Sequence, residues 1–330
     1  MDETSVRFFV TVRPYVQIAR IDHWFKNAFM LVGALLAIFY DPSLFAWTSV
    51  APVLLAFVVT CLIASSNYAL NEALDASSDV AHPVKRHRPV PSGRVTRVAA
   101  LIEWCVLGVA GVAVALAMHP RFAAAALTFF LAGFLYNVPP FRTKEIPYLD
   151  VLSEALNSPI RLFLGWFALI PNKVPPLSLV LAYWMAGAFF MATKRYAECR
   201  AIRDGRTLTD YRRSFAHYTE ERLLVSMFFY ALTSALFSGI FIVRYHAELI
   251  LLVPLGAGFL TYYFKLGLEE DSSVQNPEKL LRRKPFVAVA ALGILMFVLL
   301  MFTRIPVLYD LFNIAPPPVD PLWTIGPASE

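Results

Sequence analysis

The sequence predicts an all-α integral membrane protein of about nine transmembrane helices, and two observations carry that prediction. The first is composition. Of 330 residues, 58% are hydrophobic and only 16% charged, a balance that soluble domains rarely show. Apolar runs that approach or exceed the roughly 20 residues needed to cross a bilayer as helix recur along the chain. The second is the placement of charge. Lys and Arg concentrate in the N-terminal segment and in the loops after the second, fourth, sixth and eighth apolar runs, while the intervening loops and the tail hold at most one each. Cytoplasmic loops retain such residues, so one topology satisfies every loop: N-terminus inside, C-terminus outside.

Residues 8–26 mix apolar and basic positions and end in Trp24 and Lys26, the pattern of an interfacial helix with an aromatic and a cationic anchor. Spans are expected at about 27–46, 49–70, 98–118, 122–138, 149–170, 177–193, 223–243, 248–265 and 286–303. His119-Pro120-Arg121 makes a tight outer turn between the third and fourth. The stretch from Tyr136 to Lys144, YNVPPFRTK, breaks its helix and adds positive charge. A polar loop covers 194–222 and a charged loop 266–284. The proline-rich tail from Arg304 to Glu330 is expected to be irregular. The domain reading is therefore a cytoplasmic or interfacial segment at 1–26, a membrane domain at 27–303 and an extracytoplasmic tail at 304–330.

Several function classes lose support. The net charge of +5 sits in loops between apolar segments, as topology demands, so the expected partner is the bilayer and not nucleic acid. Cys61, Cys105 and Cys199 share no metal-ligand spacing and imply no disulfide framework. The N-terminal MDETSVRFFVTVRPY lacks a cationic start, an apolar core and a cleavage site, so no removable signal peptide is expected. No G-x-x-x-x-G-K-[ST] loop occurs, which leaves ATP-driven transport unsupported.

The densest polar stretch is NEALDASSDVAHPVKRHRPVPSGR, residues 71–94. Asn71, Asp75 and Asp79 are spaced i, i+4, i+8, which on a helix places them on one face over roughly 12 Å. Aligned carboxylates suit Mg²⁺, which takes one or two of them and completes its shell with phosphate and water oxygens. Asp75 and Asp79 are the candidate metal ligands. The basic run that follows, Lys85, Arg86, Arg88 and Arg94, suits phosphate oxygens that a metal leaves uncovered. The alternative is that these cations are topogenic and meet anionic headgroups. For the acids, the alternative is a solvated helix end.

Two further constellations stand out. Lys194-Arg195-Tyr196-Ala197-Glu198 lies where the sixth span reaches the cytoplasm; it is either a second charged patch of the site or an ordinary i, i+4 ion pair. Asp150, Glu154, Asn157 and Arg161 repeat at steps of 4, 3 and 4 and so form one helical stripe of the fifth span. Ionisable groups at membrane depth face the interior or a wet cavity, as part of a site or of a buried network. His217, His246 and the other histidines form no cluster and read as surface residues.

On these residues the chain resembles the UbiA superfamily of integral-membrane prenyltransferases. Asn71-x-x-x-Asp75-x-x-x-Asp79 after the second span carries the likeness. Arg20-Ile21-Asp22-His23-Trp24-Phe25-Lys26-Asn27 is similar to that superfamily's R-P-x-x-W-x-K-N, with Ile21 replacing proline, and Tyr136-Asn137-Val138-Pro139-Pro140 is similar to its Y-S-x-P-P turn. Within the superfamily the chain looks most like the decaprenyl-phosphate phosphoribosyltransferase group. Asp75 to Pro89 resembles D-x-x-S-D-R-x-H-P-x-K-R-H-R-P, including His82, and Lys194 to Glu198 resembles K-R-Y-A-E. The aromatic enzymes have a second D-x-x-x-D at the latter place, which this chain lacks. Glu72 stands where the family commonly has Asp.

The resemblance implies a UbiA-type bundle of nine helices with a cytoplasm-facing site. It implies transfer of 5-phosphoribosyl from phosphoribosyl diphosphate to a polyprenyl phosphate with release of diphosphate, a step towards lipid-linked arabinofuranose donors in a bacterial inner membrane. Asn71, Asp75 and Asp79 would be catalytic, with Mg²⁺ on the two aspartates. Lys26, Lys85, Arg86, Arg88, Arg161, Lys194, Arg195, Tyr196 and Glu198 would bind substrate. The alternatives are an aromatic or quinone-precursor prenyltransferase using a prenyl diphosphate, and a non-catalytic polyprenyl-lipid carrier.

Overall fold

A computed structural model of the chain describes residues 12–80, 84–201, 213–275, 277–315 and 323–324. The chain forms two compact units, one within 1–38, 43–144 and 156–175, the other within 39–42, 145–155 and 176–330.

In the first unit, a helical stretch at 12–18 leads into a 3₁₀ segment, Ile21–Met30, and then α1, Leu31–Tyr40. Helix α2 runs unbroken from Val50 to Asp79. Its proline, Pro52, sits in the first turn, where a missing N–H costs no helical hydrogen bond. Several polar groups inside α2 find partners in the protein: Thr60 Oγ1 donates to Ala56 O at 2.7 Å, Ser66 Oγ to Trp104 O at 2.7 Å and Asn67 Nδ2 to Phe129 O at 3.0 Å. That is what a bilayer without water requires. Helices α3, Arg97–Met118, and α4, Pro120–Asn137, are capped by Thr96 and His119, whose side chains accept from Ala99 N and Arg121 N. Met30, Ile63, Phe122, Phe129 and Leu164 lie in the main core of this unit, and Ile18, Ala69, Ala73, Val90 and Val95 pack a second core under the loop that follows α2.

The fifth expected span is interrupted. Helix α5 covers Leu149–Ala155 and α6 covers Asn157–Phe167. Pro159 has no N–H for the Ala155 carbonyl and its ring crowds that group, so the helix stops there. The expected stripe is thereby split: Asp150 and Glu154 belong to the second unit, Asn157 and Arg161 to the first. Helix α6 meets the 3₁₀ segment and α1 backbone to backbone. A Cβ on Gly165 would lie 1.9 Å from Met30 O, and one on Gly33 1.9 Å from Leu162 O. Small residues permit such approaches between membrane helices. Gly165→Ala is expected to cost about 1–3 kcal/mol through overpacking, read as a lowered melting temperature of the detergent-purified protein.

The second unit contains α5 and then α7, Leu177–Ala201; α8, Glu220–Tyr245; α9, Val253–Gly267; α10, Pro277–Leu281; and α11, Lys284–Met301. Its core is built by Met185, Phe189, Tyr196, Phe215, Leu223, Met227, Tyr263 and Phe286. Two expectations are corrected here. The tail is not wholly irregular: α12, Pro306–Phe312, follows a two-residue strand β1, Thr303–Arg304, that pairs in parallel with β2, Trp323–Thr324. His246 is buried, because its Nε2 meets Leu300 O at 2.5 Å and its Nδ1 lies 3.3 Å from the buried Glu248 carboxylate.

Helical structure lies over each of the expected apolar runs, that at 149–170 as two separate helices. Seven helical stretches among the described residues are long and apolar enough to cross a membrane: 12–40, 47–79, 97–118, 177–201, 220–245, 247–267 and 284–301. Helix α4 and the broken pair α5–α6 fall outside that set.

Candidate active site

The end of α2 carries the first charged constellation. Asn71, Asp75 and Asp79 all lie on this helix, because it continues past the expected boundary near residue 70. Asp75 accepts two hydrogen bonds from Lys144 Nζ, at 2.6 and 2.7 Å, and one from Arg142 Nη2 at 3.0 Å. Lys144 also donates to Asn137 Oδ1 at 2.9 Å, an oxygen that accepts from Asn71 Nδ2 at 2.6 Å. Arg142 holds a positive φ of 31°, backbone strain of the kind found where surrounding contacts over-determine a residue. Asp79 pairs with Arg88 Nη1 at 3.0 Å and Lys85 Nζ at 3.7 Å. Two carboxylates thus share four cations, an excess of positive charge that favours a polyanion.

The basic loop is set by groups that do not themselves enter this cluster. Glu72 is buried, and its Oε1 accepts from Val90 N at 3.0 Å. Its carboxylate is therefore engaged in pinning the loop to α2. Arg94 braces the same loop through Ser92 Oγ, Gln17 and His87 O, and exposed Arg86 bonds His87. His82 of the family-like stretch lies outside the described residues. Glu72→Ala is expected to free the loop, raising hydrogen exchange at the Val90 amide by about tenfold or more, the scale of a lost charge-assisted hydrogen bond.

Lys26 and Arg161 also belong to this unit. Lys26 Nζ meets His23 Nδ1 at 2.7 Å, and His23 packs edge-on against Tyr68 of α2. Arg161 Nε donates to Asn27 Oδ1 at 3.0 Å and the guanidinium lies over the Phe129 ring. Asn27 in turn donates to Cys61, and Trp24 to Ser65 Oγ. The Arg20-to-Asn27 motif therefore lies along α2.

The second constellation, in the other unit, is centred on Arg195 of α7. Its buried guanidinium contacts Asp150 Oδ2 at 3.1 Å, Glu154 Oε2 at 2.7 Å and Glu198 Oε2 at 2.9 Å. Asp150 is fully buried and also accepts from the Tyr218 hydroxyl and from Ser214 Oγ. Burial and the adjacent Asp150 charge push the Tyr218 phenol well above its ordinary range, which keeps it a donor at physiological pH. Lys194 Nζ stands 4.0 Å from Glu198 Oε1. Buried Tyr196 directs its hydroxyl to Glu220 Oε2 at 3.3 Å.

The structure thus joins Asn71, Asp75, Asp79, Lys85 and Arg88 in one unit, and Lys194, Arg195, Tyr196 and Glu198 in the other. Sequence reasoning missed Asn137, Arg142 and Lys144. The signal was available, since all three lie in the basic YNVPPFRTK stretch. It also read Asp150 and Glu154 without assigning them Arg195.

Among the described residues no group of three or more His, Cys, Asp or Glu is arranged to hold a metal ion. The oxygens around Lys144 nevertheless fit one. Both Asp75 oxygens and Asn137 Oδ1 lie within 3 Å of its ammonium, and hard oxygens of this kind are what Mg²⁺ takes. The ammonium stands in for a cation.

Comparison with known proteins places these features in a family. The chain is 33% identical over 216 residues to a decaprenyl-phosphate phosphoribosyltransferase from Mycolicibacterium smegmatis, covering 63% of each chain. It is 30% identical over 209 residues to one from Mycobacterium tuberculosis, covering 63% of this chain and 67% of that one. The match to the first spans less than two thirds of that relative's length. In three dimensions the chain is similar to a UbiA homolog from Archaeoglobus fulgidus solved with GPP and Mg²⁺, with a TM-score of 0.64 and 18% identity, covering 87% of this chain and 99% of that one. Residues 27–282 match the UbiA prenyltransferase family. The chain belongs to that family and is an all-α integral membrane enzyme.

Proposed function

We propose that this enzyme transfers 5-phosphoribosyl from phosphoribosyl diphosphate to a polyprenyl phosphate of the decaprenyl type, releasing diphosphate, as a step towards lipid-linked arabinofuranose. The observation that carries the reading is the cation-rich cluster at the end of α2, where Asp75 and Asp79 sit among Lys144, Arg142, Lys85 and Arg88. Two carboxylates supply the ligand type that a metal–diphosphate needs, and four cations supply the counter-charge. The relatives named as phosphoribosyltransferases support the choice of donor and acceptor.

Asp75 and Asp79 would hold Mg²⁺, whose chemistry when bound is charge neutralisation on the departing diphosphate. Lys85, Arg88 and Arg142 would orient the phosphates, and Asn71 would fix Asn137 beside Asp75. The acceptor is a phosphate monoester, anionic at neutral pH, so its attack on ribose C1 needs no general base from the chain. Lys26, Arg86, Arg161, Lys194 and Glu198 would contact substrate, while Arg195 and Tyr196 would act on it through the groups they position. We place the protein in a bacterial inner membrane with the site and N-terminus cytoplasmic. The transferase domain would cover 27–303 and the tail 304–330 would lie outside.

The test uses membranes containing the protein, labelled phosphoribosyl diphosphate, polyprenyl phosphate and Mg²⁺. The expected result is Mg²⁺-dependent label in the organic phase, in an acid-labile lipid. No transfer, with a prenyl diphosphate and 4-hydroxybenzoate reacting instead, would make the protein an aromatic prenyltransferase; silence with both donors would favour a carrier.

A further inference from the structure

Lys144 holds a place that the metal reading of Asp75 requires for something else. Its side chain is only 7% exposed, and its ammonium makes three short hydrogen bonds: 2.6 and 2.7 Å to the two Asp75 oxygens and 2.9 Å to Asn137 Oδ1. An ammonium has three donors and no acceptor, so this oxygen cradle matches it in number and in charge. The same oxygens are the hard donor set a divalent cation takes. A divalent ion and the Lys144 ammonium cannot hold that position together, because both need the same oxygen lone pairs and a further cation beside Arg142 would add strong like-charge repulsion. Arg142, on the same short segment, stays on Asp75 Oδ1 through a guanidinium 22% exposed, whereas the lysine stem is flexible and its charge compact.

We propose that Lys144 is an exchangeable counter-cation. It occupies the Asp75–Asn137 cradle in the metal-free protein and leaves when a divalent cation enters, its ammonium then meeting the diphosphate of the donor. This rests on the reading of Asp75 as a metal ligand and adds a regulation of that site. Metal alone must separate Lys144 from the Asp75 carboxylate, which costs a charge-assisted hydrogen-bonded pair, so it binds weakly. Metal together with a diphosphate brings an anion for the displaced ammonium, and the two ligands bind with positive coupling, which by linkage is reciprocal.

The test measures Mn²⁺ binding to the purified protein in detergent by paramagnetic resonance of the free ion, with and without inorganic diphosphate. Lys144→Gln is expected to bind Mn²⁺ alone about tenfold more tightly than wild type, because the metal no longer has to displace a competing cation from the carboxylate. The variant is also expected to lose most of the enhancement that diphosphate gives. Unchanged or weaker Mn²⁺ affinity in Lys144→Gln, with binding still abolished by Asp75→Asn, would overturn the exchange while leaving Asp75 as a ligand. Mn²⁺ binding that ignores Asp75→Asn, or its absence from both proteins, would overturn the metal reading and the exchange together. Should Lys144→Gln not purify as a monodisperse species, wild type supplies the answer through acetylation of Lys144 followed by mass spectrometry. Saturating Mn²⁺ is expected to raise the modification at Lys144 several-fold, and an unchanged level would overturn the proposal.

Discussion

Asp75→Asn is expected to lower lipid-linked product formation by about 10³-fold or more, because several kcal/mol of charge stabilisation at the leaving group would be lost at about tenfold per 1.4 kcal/mol. The substitution keeps the shape of the side chain and one acceptor for Lys144 and Arg142. The protein is therefore expected to purify at near wild-type yield, which separates lost chemistry from lost fold. Asp79→Asn is expected to act in the same direction. Its partners Arg88 and Lys85 come from the loop that follows and not from the Asn137–Lys144 segment, so the two substitutions test separate halves of the cluster. The measurement is initial rate of label transfer at saturating Mg²⁺. Retention of more than a tenth of the rate in both variants would remove the carboxylates from the mechanism.

Arg195→Met is expected to destabilise the protein by about 3–5 kcal/mol, the cost of leaving buried charges without their partner. The side chain is 3% exposed and Asp150 is 0% exposed, so water cannot replace the guanidinium. Arg195→Met should show as a large loss of monodisperse protein and a lowered melting temperature. Adding Asp150→Asn to the same chain is expected to restore a substantial part of that loss, since the double variant removes both members of the buried pair. Arg195→Lys tests geometry, because a single ammonium cannot reproduce a fork that reaches three carboxylates. Stable Arg195→Met protein with only a raised KM for donor would instead make Arg195 a direct phosphate ligand.

These two expectations show where sequence reading succeeded and where it stopped. The register of Asn71, Asp75 and Asp79 was legible because a helix fixes its own faces locally, at 3.6 residues per turn. Alternating loop charge is read in the same local way, loop by loop, and predicts the side of the membrane each loop takes. The partners of those acids were not. Lys144 is 69 residues from Asp75 and Arg142 is 67, and nothing in local spacing pairs them. The basic YNVPPFRTK stretch was visible as charge, but the carboxylate it neutralises depends on how α4 returns to α2. Asp150 and Glu154 were read in a stripe with Arg161, whereas Pro159 breaks that helix and Arg195, 45 residues from Asp150, takes the two acids.

The sequence by itself determined the helical membrane class, the positions of the apolar runs, the face carrying Asp75 and Asp79 and the family likeness, all properties of contiguous residues. Tertiary structure alone decided which cation meets which carboxylate, that Glu72 holds a loop, that His246 is buried and that Lys144 fills an oxygen cradle. Buried charge must be compensated by whatever the fold brings near, and that neighbour is chosen by packing across the chain and not by distance along it.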